Sequence, residues 1–143
     1  LVIRRDSKND RAYFCKGFAL FSLNKIREAI YNYEKSIQLE PNFYLAHKNK
    51  AIALKKLDKF EPAVEAINRA IKLLPTHGHS YKVKGGLFQK MNRHQDALDA
   101  YDKGIQVDPS LPQLHYGKGL ALSKLGRYEE ALRCNSVAIS IAP

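Results

Sequence analysis

No run of about 18 apolar residues occurs in this 143-residue chain. A bilayer-spanning helix needs roughly that length, so membrane insertion is excluded. No secretory signal pattern is present either. Cysteine is scarce. Cys15 and Cys134 stand near opposite ends and are expected not to pair, which excludes a disulfide framework and suits a reducing, intracellular and cytoplasmic setting. The motifs of catalysis are missing as well: no G-x-S-x-G, no phosphate-binding glycine loop and no H-E-x-x-H. His77 and His79 form an H-x-H pair, but metal sites need three or four ligands, and no Cys or acid falls at a helpful spacing. These gaps predict no enzymatic activity, no cofactor and no metal. Acidic residues are also few, 14 against 24 Lys and Arg, for a net charge of +10.

What the chain does have is a period. Pro41, Pro75, Pro109 and Pro143 are spaced by 34 residues without drift, and a period of that size marks stacked helix–turn–helix units. Other columns follow it. They are Ala29, Ala63, Ala97 and Ala131; Leu20, Leu54, Phe88 and Leu122; Leu23, Leu57, Met91 and Leu125; the flat rings Tyr13, His47, Tyr81 and His115; and the small Gly17, Ala51, Gly85 and Gly119. Small residues at fixed offsets predict close helix crossings. Asn24, Asp58, Asn92 and Gly126 share a column between two apolar segments, and all four tolerate the left-handed backbone that ends a helix. The prolines end the second segment. Asn9, Asn42, Thr76 and Ser110 are the expected capping residues of the next.

Each repeat is thus read as two helices. The first (A) helices run over about 10–23, 44–57, 78–91 and 112–125. The second (B) helices run over about 27–40, 61–74, 95–108 and 129–142. No segment reads as a strand. Residues 10–43, 44–77, 78–111 and 112–143 are the four repeats. These columns, with Tyr33 and Tyr101 as the large residues of two B helices, resemble the tetratricopeptide repeat family over residues 10–143. Ile67 and Asn135 depart from the Tyr33 and Tyr101 column, and His47 and His115 stand where a larger aromatic is usual. The resemblance implies an all-α, right-handed superhelical solenoid of eight antiparallel helices. It also implies a concave groove lined by A helices.

Charge divides along the same pattern. The A segments hold one acid, Asp10, against Arg11, Lys16, Lys48, Lys50, Lys55, Lys56, Lys82, Lys84, Lys90, Lys118 and Lys124. By the resemblance, Arg11, Phe14, Phe18, Lys48, Asn49, Lys56, Lys82, Lys90, Tyr116 and Lys124 line the groove, with Cys15, Val83 and Gly117 in the same column as Asn49. A protein or peptide partner with acidic residues and an apolar anchor is expected. Lys16, Lys50, Lys84 and Lys118 form a ladder whose stems are expected to cover apolar surface. Some members of the family grip a terminal carboxylate with a two-carboxylate clamp. Here only Asn49 fits it with the first repeat leading, and only Lys48 with the second. The competing readings are a nucleic-acid-binding helical repeat, disfavoured by the shortage of groove Arg, and the regulatory arm of a larger enzyme. Val2, Ile3 and Asp6 fall in register with the end of a B helix, so residues 1–9 are read as the tail of a preceding repeat or a leader. Uncovered repeat faces predict weak end-to-end self-association.

Overall fold

The structure, a computed structural model, describes residues 7–142. The expectation for Val2, Ile3 and Asp6 lies outside the described residues. Among those described there are eight helices and no strand: α1 (Ser7–Ser22), α2 (Ile26–Leu39), α3 (Tyr44–Lys56), α4 (Phe60–Leu73), α5 (Gly78–Lys90), α6 (His94–Val107), α7 (Pro112–Lys124) and α8 (Tyr128–Ile141). The largest departure from the sequence reading is at the start of α1, Ser7 against residue 10.

The chain forms two compact units, Leu1–Leu73 and Leu74–Pro143. In the first, α1 packs on α2, α2 on α3 and α3 on α4; in the second, α5 packs on α6, α6 on α7 and α7 on α8. B helices bury one stripe at i, i+4 and i+7: Ala29, Tyr33 and Ser36 in α2; Ala63, Ile67 and Ala70 in α4; Ala97, Tyr101 and Gly104 in α6. That spacing places the three on one helix face. A helix α3 lies against both α2 and α4, and α7 against both α6 and α8, so each buries two sides. Ala46 and His47 are buried alongside Ala51, Ala53 and Leu54 in α3. Leu114 and His115 are buried alongside Gly119, Ala121 and Leu122 in α7.

The A-to-B turns match the expectation from the turn column. Asn24, Asp58 and Asn92 have φ of 62°, 57° and 57°, and Gly126 has 79°. Each turn is sealed by the same two backbone bonds. The Asn24 N–H donates to the Phe21 carbonyl and the Lys25 N–H to that of Leu20, both at 2.9 Å; Asp58 and Lys59, Asn92 and Arg93, and Gly126 and Arg127 repeat the pattern. Carbonyls left open at a helix end are satisfied this way without any side chain.

The B-to-A turns correct the expected caps. The N-cap residues are Phe43, His77 and Leu111, in extended backbone and with no side-chain capping bond. Asn42, Thr76 and Ser110 stand one position too early, and Asn9 lies inside α1. Ser110 donates its hydroxyl to Asp108 instead. The backbone closes the first turn by itself: Ala46 N–H bonds Phe43 O, Ser80 bonds His77 and Leu114 bonds Leu111.

The ring column has a second role. His47 Nε2 lies 2.9 Å from the Pro41 carbonyl, the Tyr81 hydroxyl donates to that of Pro75 at 2.7 Å, and His115 Nε2 lies 2.8 Å from that of Pro109. A carbonyl can only accept, so each imidazole carries its proton on Nε2. Histidine therefore replaces tyrosine in this column because both deliver a donor to the same carbonyl, six residues back.

Candidate functional site

In the first unit, α1 and α3 present the aromatic end of the expected site. Phe14 is half-buried, its ring 5.8 Å from that of Tyr33 and 5.0 Å from that of Phe43. Phe18 projects, 57% exposed. Between them lies a cleft of about 380 Å3 lined by Phe14, Cys15, Phe18, Leu45, Lys48 and Asn49. A smaller hollow of about 80 Å3 continues from Phe18 and Asn49 to Phe21, Tyr33 and Ile52. Asn49 hydrogen-bonds the Tyr33 hydroxyl, whose pKa is raised by burial and lowered in part by that bond. A side chain already tied at one end offers a fixed polar rim to an apolar cleft.

Two of the expected site cations in this unit, Arg11 and Lys56, stand over rings. Arg11 lies 5.8 Å from the Phe43 ring centre and Lys56 5.7 Å from that of Phe21. Both are exposed. Lys48 is half-buried at the cleft. The one acid of the A helices, Asp10, is buried. The exposed A-helix face of this unit therefore carries cations with no carboxylate among its described residues. A larger cleft of about 470 Å3 lies at the α1–α2 turn, lined by Asn24–Glu28, Lys56 and Leu57; of the expected site residues it includes Lys56 alone.

In the second unit, Lys82, Lys90 and Lys124 are exposed, and Tyr116 is 63% exposed. Gly117 departs from the sequence reading. It is buried against α6, and a Cβ there would stand 2.5 Å from the Tyr101 ring. Tyr101 donates its hydroxyl to Gln89 Oε1 at 3.1 Å, and Gln89 Nε2 donates to the Gly117 carbonyl at 3.2 Å. This closes a network across α5, α6 and α7. Burial pushes the Tyr101 phenol up to about 12.

In the lysine ladder Lys50, Lys84 and Lys118 are half-buried, while Lys16 is exposed. Lys50 pairs with Glu34 at 3.5 Å and Lys118 with Asp102 at 2.7 Å, each joining an A helix to the preceding B helix. Lys84 lies 6.0 Å from the Phe88 ring centre, and burial lowers its pKa. Among the described residues no group of three His, Cys, Asp or Glu could hold a metal. Both cysteines are free thiols, Cys15 exposed and Cys134 half-buried.

Sequence reasoning missed Phe43, Leu45 and Gln89. Phe43 and Leu45 flank the third helix start, where column logic looked for a polar cap. Gln89 carries no periodic signal, since its column reads Phe21, Lys55, Gln89 and Ser123.

Comparison with known proteins agrees with this architecture. A tetratricopeptide repeat model matches residues 10–43, a second matches 47–77 and 112–143, and a TPR repeat model matches 85–126. No curated protein sequence matches the chain. Among solved structures, a crystal structure of MamA is 24% identical over 95% of this chain and 80% of its own, with a TM-score of 0.87. A MamA from Desulfovibrio magneticus RS-1 is 18% identical over 92% of this chain and 75% of its own, at 0.84. The first TPR of Spaghetti (RPAP3), bound to the HSP90 peptide SRMEEVD, is 23% identical over 87% of this chain and 99% of its own, at 0.82. With eight helices among the described residues packed as sequential pairs and family models matched over most of residues 10–143, this chain belongs to the tetratricopeptide repeat family.

Proposed function

We propose that the chain is a non-catalytic, cytoplasmic scaffold that binds an acidic protein or peptide segment on its basic A-helix faces. Its repeats are 10–43, 44–77, 78–111 and 112–143. The observation that carries the reading is the separation of charge. Arg11, Lys56, Lys82, Lys90 and Lys124 are exposed on A helices, while the one A-helix acid, Asp10, is buried. The cleft at Phe14, Phe18, Lys48 and Asn49 supplies an apolar anchor point in the first unit, and Tyr116 an exposed ring in the second. The peptide held by the RPAP3 repeat, SRMEEVD, has three acids and one arginine, which fits such a surface. Only one clamp residue fits in either register, Asn49 or Lys48, so acidic side chains are the recognised group in preference to a chain terminus.

A peptide-array screen of the wild type against the Lys82→Glu/Lys90→Glu variant tests this reading. Wild type selects acidic peptides, binding weakens as salt screens charge over about 8–10 Å, and the variant loses the preference. Identical selection by both proteins rules out the basic faces as the recognition surface. Binding to single-stranded nucleic acid with a steep salt slope and no peptide preference points to the phosphate-tracking alternative.

A further inference from the structure

We propose that Lys84 is an acylation site, the first of the described lysines to be modified when the chain meets a small acyl phosphate. Lys84 is not among the residues of the binding faces proposed above. Its column sets it apart. Lys50 and Lys118 each hold a carboxylate on the preceding B helix, Glu34 at 3.5 Å and Asp102 at 2.7 Å. A carboxylate at that range keeps an amine protonated, and a protonated amine has no lone pair with which to attack. The column that supplies Glu34 and Asp102 reads Asn68 one repeat before Lys84. Lys84 makes no ion pair among the described residues.

Its surroundings act in the same direction. Lys84 is half-buried, with Nζ 6.0 Å from the centre of the buried Phe88 ring, one turn further along α5. Arg93 stands nearer the same ring, at 4.8 Å, and is held by Asp96 at 2.8 Å. A ring attracts a cation most at short range, so Arg93 takes the larger share. Burial lowers the pKa of Lys84, the charge of Lys103 on α6 lowers it further, and Asp96 offsets part of this. Desolvation beside another cation turns a lysine into a nucleophile. The same cations select the reagent. Lys103 and Arg93 attract the phosphate of an acyl phosphate, a group that neutral acyl donors lack. The unprotonated Nζ attacks the acyl carbon and forms the N–C bond. The C–O bond to phosphate breaks, phosphate leaves with that electron pair, and the amine proton passes to water. The amide is neutral, so it ends the repulsion from Lys103 while the stem keeps its place beside Phe88.

Treatment of the full chain with acetyl phosphate near neutral pH tests the proposal, with peptide mass spectrometry following each lysine over time. Lys84 gains the acetyl group about two- to fivefold faster than Lys50 and Lys118, the range set by one ion pair of this exposure. It also reacts ahead of the exposed Lys82 and Lys90. Glu34→Gln frees Lys50 and Asp102→Asn frees Lys118, and each freed lysine speeds up toward the Lys84 rate. Lys103→Ala slows Lys84, and slows it less when the donor is the neutral N-hydroxysuccinimide ester of acetic acid. Glu34, Asp102 and Lys103 are partly or fully exposed, so helical circular dichroism is unchanged in all three variants. Lys84 labelled no faster than Lys50 and Lys118, Lys82 or Lys90 labelled first, freed lysines that do not speed up, or a Lys103→Ala effect that is absent or equal for both donors each overturns it.

Discussion

The Tyr101 ring is wedged between two glycines: a Cβ on Gly85 or on Gly117 would stand 2.5 Å from it. The ring thus takes the volume that side chains on α5 and α7 would need. Gly85→Ala and Gly117→Ala each lower stability by roughly 1–3 kcal/mol, the usual cost of overpacking. Tyr101→Ile, which copies the buried Ile67 that shares its column, relieves most of the Gly85→Ala penalty. Denaturant titration of the four proteins of this cycle gives the coupling, expected at roughly 0.5–3 kcal/mol. Strict additivity shows that ring and glycine do not share the space.

Burial lowers the pKa of His47 below the ordinary 6.5, outweighing its bond to the Pro41 carbonyl, which raises it. The folded state then holds fewer protons at this site than the unfolded chain does. His47 contributes stability fully above about pH 6.5. That contribution is lost as pH falls through 6.5 toward the lower folded value, and changes no further below it. His47→Tyr keeps a donor for the Pro41 carbonyl and does not titrate in this range. Its melting temperature falls less than wild type's between pH 7 and 5; parallel curves would contradict the assignment.

Gly126 has φ of 79° and no heavy atom within 4 Å of the position a Cβ would occupy. Gly126→Ala therefore isolates the backbone term and costs about 1 kcal/mol. Asp58 tests the same geometry from the other direction, at φ 57°. Asp58→Val costs about 1–2 kcal/mol, while Asp58→Gly is neutral or slightly stabilising. Thermal melts in which valine and glycine behave alike exclude left-handed strain at this turn.

Phe14 and Phe18 both border the aromatic cleft but differ in what they hold up. Phe14 packs on Tyr33 and Phe43, so Phe14→Ala lowers stability by roughly 1–3 kcal/mol, less than a fully buried ring would lose. Phe18→Ala leaves the melt unchanged within about 0.5 kcal/mol. If the cleft anchors a partner, Phe18→Ala speeds dissociation of a bound acidic peptide with folding intact. Surface plasmon resonance with unchanged off-rates removes Phe18 from the site.

The period made the helices legible. Columns that must be small, large or left-handed report geometry directly, and Asn24, Asp58, Asn92 and Gly126 all adopt the backbone their column implied. The caps were not legible. A capping residue is recognised by its side chain, and here the backbone closes the first turn itself, freeing Phe43 to pack on Phe14. Gly117 misled for a related reason. Its column holds Cys15, Asn49 and Val83, side chains that can face outward, but the bulk that decides position 117 belongs to Tyr101 on another helix. The cation-rich faces could be read from composition by helix, because burial of Asp10 and pairing of Lys50 and Lys118 leave the remaining pattern intact.

The bonds that lock each repeat are short in sequence. The A-to-B turns are sealed by links spanning five residues or fewer, and His47, Tyr81 and His115 reach back only six to their proline carbonyls. Loops of that size close at small entropic cost, and a chain dominated by near-neighbour contacts has a low contact order. Structure can therefore nucleate in any repeat and spread to the next without a distant segment having to arrive first. The speed of folding is set by whichever helix pair locks earliest, and a damaged turn delays its own repeat more than the others.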